Sequence, residues 1–94
     1  MSLTSKAERR RLLRAEAVER DGPMCVWPGC TFTHEHMAHI RGVGMGGGTH
    51  RDYLENVAML CRYHHDLLDG RSHHGLRREV ARLLAFYLDE RGHR

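Results

Sequence analysis

Ninety-four residues make one small domain, a size at which a hydrophobic core alone seldom suffices and a staple is commonly added. The balance of 15 Lys+Arg against 12 Asp+Glu, net +3, is too mild to specify a nucleic-acid partner by itself. All but one of the basic residues are Arg, which suits bidentate phosphate contacts better than Lys. The longest apolar run, Leu83 to Leu88, is far too short to cross a bilayer, and no signal peptide is evident, so a cytoplasmic chain without membrane contact is expected.

In chain order, residues 1 to 5 read as frayed. Ser5 with Glu8 three positions on forms a capping box that opens a helix over residues 5–20. Leu12, Leu13, Ala15, Ala17 and Val18 give it an apolar face. Its arginines Arg9, Arg10, Arg11 and Arg14 read as a solvated face, with phosphate contact as the alternative. Asp21-Gly22-Pro23 ends the helix, because Gly and Pro both break it. Thr31 to Ile40 reads as a strand, rich in β-branched and aromatic residues. Arg41 to Thr49 holds five glycines and reads as a loop, leading to a second short strand. It lacks the Lys-Ser/Thr of a P-loop, and its other use would be close backbone approach to a polyanion. A helix of about two turns is expected from Tyr63 to Asp69, with Gly70 as its stop. The segment from Arg71 to His74 is a polar linker. Leu76 to Arg91 forms the last helix, with Val80, Leu83, Leu84, Phe86, Tyr87 and Leu88 facing the core.

Three cysteines cannot close two disulfides. Their spacing has a simpler explanation. Cys25 and Cys30 form a C-x4-C knuckle around Trp27-Pro28-Gly29, and Cys61 and His64 form C-x2-H. A tetrahedral structural zinc takes such a Cys3His set, uses every thiol, and requires a reducing compartment. The ion would tie the loop before the first strand to the helix after the second. Nine histidines in so short a chain are a second anomaly, since His is both the commonest metal ligand and the usual base near neutral pH. Of these, His73 and His74 read as solvent-exposed, and His34 and His50 as surface or phosphate-contacting residues.

The order His39, Asn56, His65, with Leu60-Cys61-x-x-His64 directly before the last, resembles the HNH endonuclease family, in particular its zinc-containing branch. The resemblance covers roughly residues 20–70. It implies an α+β fold, a zinc-stapled ββα-metal (His-Me finger) core with helices at about 5–20 and 76–91 flanking it. It implies a metal-dependent endonuclease that nicks or cuts DNA, leaving 5′-phosphate ends. His39 would be the general base, Asn56 would steady it, and His65 would bind a catalytic divalent metal, Mg²⁺, Mn²⁺, Ni²⁺ or Zn²⁺. Adjacent helix residues point about 100° apart, so His64 can face the zinc while His65 faces the cleft. Asp69, four residues after His65, lies on the same helix face and is a second candidate metal ligand or a plain polar residue near a helix end. The chain departs from the family at Ala38, where a metal-binding Asp or His is usual. Either another side chain substitutes, with His36 the first candidate because in a strand it shares a face with Ala38 while His39 points the other way, or the metal is held weakly by His65 with water and substrate. Arg41 and Arg62 flank the site in sequence and are the candidate DNA contacts. The chain is similar to small phage-encoded HNH proteins that assist DNA packaging, with restriction and homing roles also open. The alternatives are a non-catalytic zinc-stapled DNA-binding module and a structural or protein-interaction domain.

Overall fold

The computed structural model describes residues 5–41, 51–69 and 77–90. Its elements are helix α1 (Lys6–Asp21), strand β1 (His36–His39), a 3-10 turn (Leu54–Asn56), strand β2 (Val57–Leu60), helix α2 (Arg62–Leu68) and helix α3 (Arg77–Glu90). This is a small α+β arrangement with one antiparallel two-stranded sheet. The glycine run, His50, Gly70, His73 and His74 lie outside the described residues, as do the expected limits of the last helix at Leu76 and Arg91.

Helix α1 begins as its capping box requires: the Ser5 hydroxyl accepts from the Glu8 N–H at 3.1 Å. It ends at Gly22, whose φ of 75° is a conformation that Gly adopts without steric cost. Only Leu13 and Ala17 of the expected apolar face are buried, with Val18 partly so; Leu12 is exposed. A four-residue spacing suffices to cover a sheet this short, so the flanking positions of the stripe stay outside.

The expected strand from Thr31 to Ile40 is shorter than its composition suggests. Thr33 bridges Met24, and the N–H groups of Cys25 and His34 donate to Phe32 and Pro23. The chain returning from the knuckle is therefore committed to the knuckle's own entry. Only from Glu35, whose N–H donates to Leu60, does it pair with β2. The register is His36 with Leu60, Met37 with Met59, Ala38 with Ala58 and His39 with Val57.

An isolated hairpin is marginal in water, and this one is covered on both faces. Val57 and Met59, with Met37 beside them, pack on Leu13 and Ala17 of α1. Ala38, Ile40, Ala58 and Leu60 share the larger core with Leu68 of α2, with Val80, Leu84 and Leu88 of α3, and with Cys25, Val26 and Cys61. All four residues of β2 are buried as a result. On α3 the buried residues repeat every four, so the expected face is narrower than read: Leu83 and Phe86 are exposed. Because side chains alternate along a strand, His36 and Ala38 belong to the α2–α3 side of the sheet and His39 to the α1 side.

Candidate functional site

Three groups of polar side chains surround the hairpin. The first is the thiol corner. The knuckle delivers Cys25 and Cys30, the end of β2 delivers Cys61, and the first turn of α2 delivers His64. One donor atom from each lies within 4.8 Å of all the others. Cys30 Sγ is 4.0 Å from Cys61 Sγ, and His64 Nδ1 is 3.6 Å from Cys25 Sγ and 3.3 Å from Cys61 Sγ. Gly29 turns the knuckle with a φ of 76°, and the Cys30 N–H closes it onto the Trp27 carbonyl. Trp27 also stacks on the His64 ring at 4.6 Å with the planes 5° apart. Burial pushes the Cys25 thiol up to about 12, despite backbone hydrogen bonds acting the other way. Burial also lowers His64, which favours the neutral imidazole that a metal needs. Four converging donors, one of them a half-buried His whose neutral form is favoured, make a site able to hold a metal ion.

The second group is His36, His65 and Asp69. His36 Nδ1 and His65 Nδ1 are 2.7 Å apart, and His65 Nε2 is 3.3 Å from Asp69 Oδ2. One set of tautomers satisfies both contacts. Asp69 accepts from His65 Nε2–H, and His65 Nδ1 accepts from His36 Nδ1–H. As the helix geometry requires, His64 turns to the thiols while its neighbour His65 turns to β1. His36, expected as a substitute metal ligand, contacts His65 of α2. Ala38 itself is fully buried.

The third group lies across the sheet. His39 Nε2 is 2.7 Å from Asp52 Oδ1, and Arg10 of α1 grips the same carboxylate at 2.8 and 3.2 Å. Burial raises the Asp52 carboxyl, but the hydrogen bonds and charges of Arg10 and His39 outweigh it and hold the group below its ordinary range. Asp52 thus stays ionised beside His39. In the neutral form of the ring, this contact places the proton on Nε2 and leaves the lone pair on Nδ1.

Asn56 sits behind this group, completely buried. Its Oδ1 accepts from the Arg41 N–H at 3.0 Å, and its Nδ2 donates to the carbonyls of Arg41 at 3.1 Å and Arg51 at 2.9 Å. One side chain therefore ties the two ends of the segment between residues 41 and 51. It steadies His39 through the backbone two residues on, with no direct bond between the two side chains among those described.

Comparison with family models, with curated proteins and with solved structures finds no match.

Of the expected residues, Cys25, Cys30, Cys61 and His64 converge, and so do His36, His65 and Asp69. His39 and Asn56 stand apart from that second group. Arg41 is exposed at the end of β1, while Arg62 opens toward a depression that also holds Glu35 and Asp66. Asp52 and Arg10 were not expected. The one local signal for Asp52 is an acidic residue placed four positions before the buried Asn. His34, expected at the surface, is half-buried, and both its ring nitrogens lack a partner among the described residues. Among those residues no helix is long and apolar enough to cross a membrane.

Proposed function

We propose that this protein is a zinc-stapled, metal-dependent endonuclease of the HNH kind, hydrolysing DNA phosphodiester bonds. The observation that carries the reading is the His39–Asp52 pair. A carboxylate held ionised by Arg10 orients an imidazole whose other nitrogen is left as a proton acceptor. A general base needs that lone pair within reach of water, and it needs its orientation fixed in advance. In this reading His39 takes the proton from the attacking water and Asp52 steadies the imidazolium that forms. Asn56 keeps the chain segments beside both residues in place.

Zinc is the ion that best suits the thiol corner. Bonds of about 2.3 Å to sulfur and about 2.0–2.1 Å to nitrogen give tetrahedral edges of about 3.8 Å (S to S) and about 3.6 Å (S to N). The S–S separation of 4.0 Å is slightly above its edge, the S–N separations of 3.6 and 3.3 Å lie at and below theirs, and all four donors fall within 4.8 Å of one another. Four protein donors leave no open position, so this zinc is structural. His65, Asp69 and His36 are the candidate ligands for a catalytic divalent cation, whose chemistry would be to stabilise charge on the phosphate and on the leaving oxygen. Two nitrogens on one ion sit about 3 Å apart or more at such bond lengths. The 2.7 Å contact between His36 and His65 must therefore open slightly for both to bind.

A second reading has its own support. His36 and His65 are closed on each other, Ala38 offers no ligand atom, and His39 faces away from both. Those facts suit a zinc-stapled DNA-binding module without catalysis. A phage packaging or restriction role extends the first reading by resemblance alone. Nicking of supercoiled plasmid with Mg²⁺, Mn²⁺ or Ni²⁺ separates the two. The endonuclease reading expects conversion by the wild type and a loss of about 10²–10⁴ in rate for His39→Ala, with DNA retention in gel shift unchanged. Retention without nicking under every metal would favour the binding module.

A further inference from the structure

On the α2–α3 side of the hairpin, a cleft of ≈ 640 Å³ opens between the end of β1 and α3. Its described lining is Ile40, Arg41 and Arg51 on one wall and Arg77, Arg78, Ala81, Arg82 and Ala85 on the other. Five of these eight residues are Arg, and none is acidic. The chain as a whole carries only a +3 excess, so this concentration does not follow from composition.

We infer that this cleft is the groove that takes the sugar–phosphate backbone of the DNA, with Arg78 and Arg82 of α3 as its principal phosphate contacts. The inference rests on the DNA reading above and names the path of the substrate. Arg78 and Arg82 are four residues apart and exposed, so both guanidinium groups project from one helix face. Ala81 and Ala85 between and beyond them keep that face low, which admits a bulky polyanion close to the helix.

The opposite wall adjoins the proposed chemistry along the chain, while the His39 ring itself faces the α1 side of the hairpin. Arg41 is two residues beyond His39 and Arg51 is one residue before Asp52. Asn56 bonds to the backbone of both arginines. Their spacing along this wall is thus held by a buried amide, and the chain that places them also places the His39–Asp52 pair. Arg62, by contrast, shares its depression with Glu35 and Asp66, whose carboxylates compete with phosphate for it. A nucleic-acid backbone fits the cleft better than a lipid surface does, because the basic residues line two facing walls rather than one plane.

The test measures binding and cutting separately. Labelled duplex DNA of arbitrary sequence is titrated with the zinc-loaded full chain over a series of KCl concentrations. Arg78→Ser/Arg82→Ser should bind every duplex more weakly, and the slope of log K against log salt should fall by about two. Circular dichroism and metal content should not change. The control is Arg9→Ser/Arg11→Ser, which removes the same charge from exposed positions of α1 and should change the slope by less than about one. An equal loss in the control would mean that net charge rather than the cleft binds DNA, and would overturn the inference. So would an unchanged slope in the α3 variant, a wild type that does not retain DNA, or one that retains only phosphatidylserine vesicles. If the α3 variant loses DNA as expected but even the wild type never nicks plasmid, the cleft stands and the endonuclease reading falls. If the wild type nicks plasmid and the α3 variant binds and nicks equally well, the endonuclease reading stands and the cleft falls.

Discussion

The two faces of the hairpin are held by different forces. Toward α1 the apolar core is small: Leu13, Ala17, Val57 and Met59. Charged groups reinforce it. Arg20 pairs with Asp21 at 2.6 Å and donates to the carbonyls of Leu54 and Val57, and Asp21 accepts from the Met59 N–H. Arg10 and His39 meet on Asp52. Toward α2 and α3 the apolar core is larger, with the thiol corner and the His36–His65–Asp69 group at its edge. A face stitched by oriented ion pairs responds to pH, because its strength depends on protonation. A face whose edge carries four converging thiol and imidazole donors able to hold an ion should respond to metal, because unfilled donors there gain little from one another.

The largest effect should come from the thiol corner. Cys61 is the residue that joins β2 to α2 and supplies one of the four donors. Cys61→Ser, or chelation of the wild type, should abolish metal binding and most of the helical signal, since ion binding in so small a domain is part of the folding free energy. Metal analysis with circular dichroism reads both. A Cys61→Ser protein that keeps its ion and its melting temperature would mean that this face does not depend on the cluster.

Next comes Ala38→Asp. The HNH pattern has a metal ligand at this position, but here the methyl lies in the larger core with Ile40, Ala58 and Leu60. A carboxylate there would be buried without a partner. The expected cost is about 3–5 kcal/mol, and each kcal/mol lowers Tm by about 4–8 °C in a domain this size. Differential scanning calorimetry measures it. A melting temperature close to wild type, with a lower metal requirement in plasmid nicking, would show that position 38 opens to the site.

The smallest effect concerns the α1 face. Asp52 has its folded pKa depressed by Arg10 and His39. Its contribution is therefore present above the unfolded value of about 3.9 and is lost as pH falls through the lower folded value. Between pH 6 and about 4 the wild type should lose little from this group, and below that it should lose stability faster than Asp52→Asn. Melting curves of the two proteins across that range should converge in acid. Curves that stay parallel to the lowest pH would remove Asp52 from the pH response of this face.

Much of the site was legible because short-range chemistry determines it. C-x4-C and C-x2-H each pair two donors by turn geometry, although the two pairs meet only through packing across 31 or more positions, and the roughly 100° step between His64 and His65 sends them to different neighbours. The reach of His36 toward α2 follows from strand alternation, which also turns His39 away. Other features depend on distant partners. Arg10 and Asp52 are 42 positions apart in the chain and meet only because α1 lies across the hairpin. Leu83 and Phe86 have the spacing of a core-facing stripe, yet the small sheet leaves them uncovered.

By itself, then, the sequence determined the capped first helix, the two local donor pairs of the thiol corner, and the division of the histidines between two faces. Each depends on bond geometry over a few residues. Tertiary structure alone decided that Asn56 would clamp residues 41 and 51, that Asp52 would hold His39, and that arginines from two elements would line one cleft. Those arrangements arise when helices far apart in sequence pack on the same two strands. No local spacing records which side chains will then face each other.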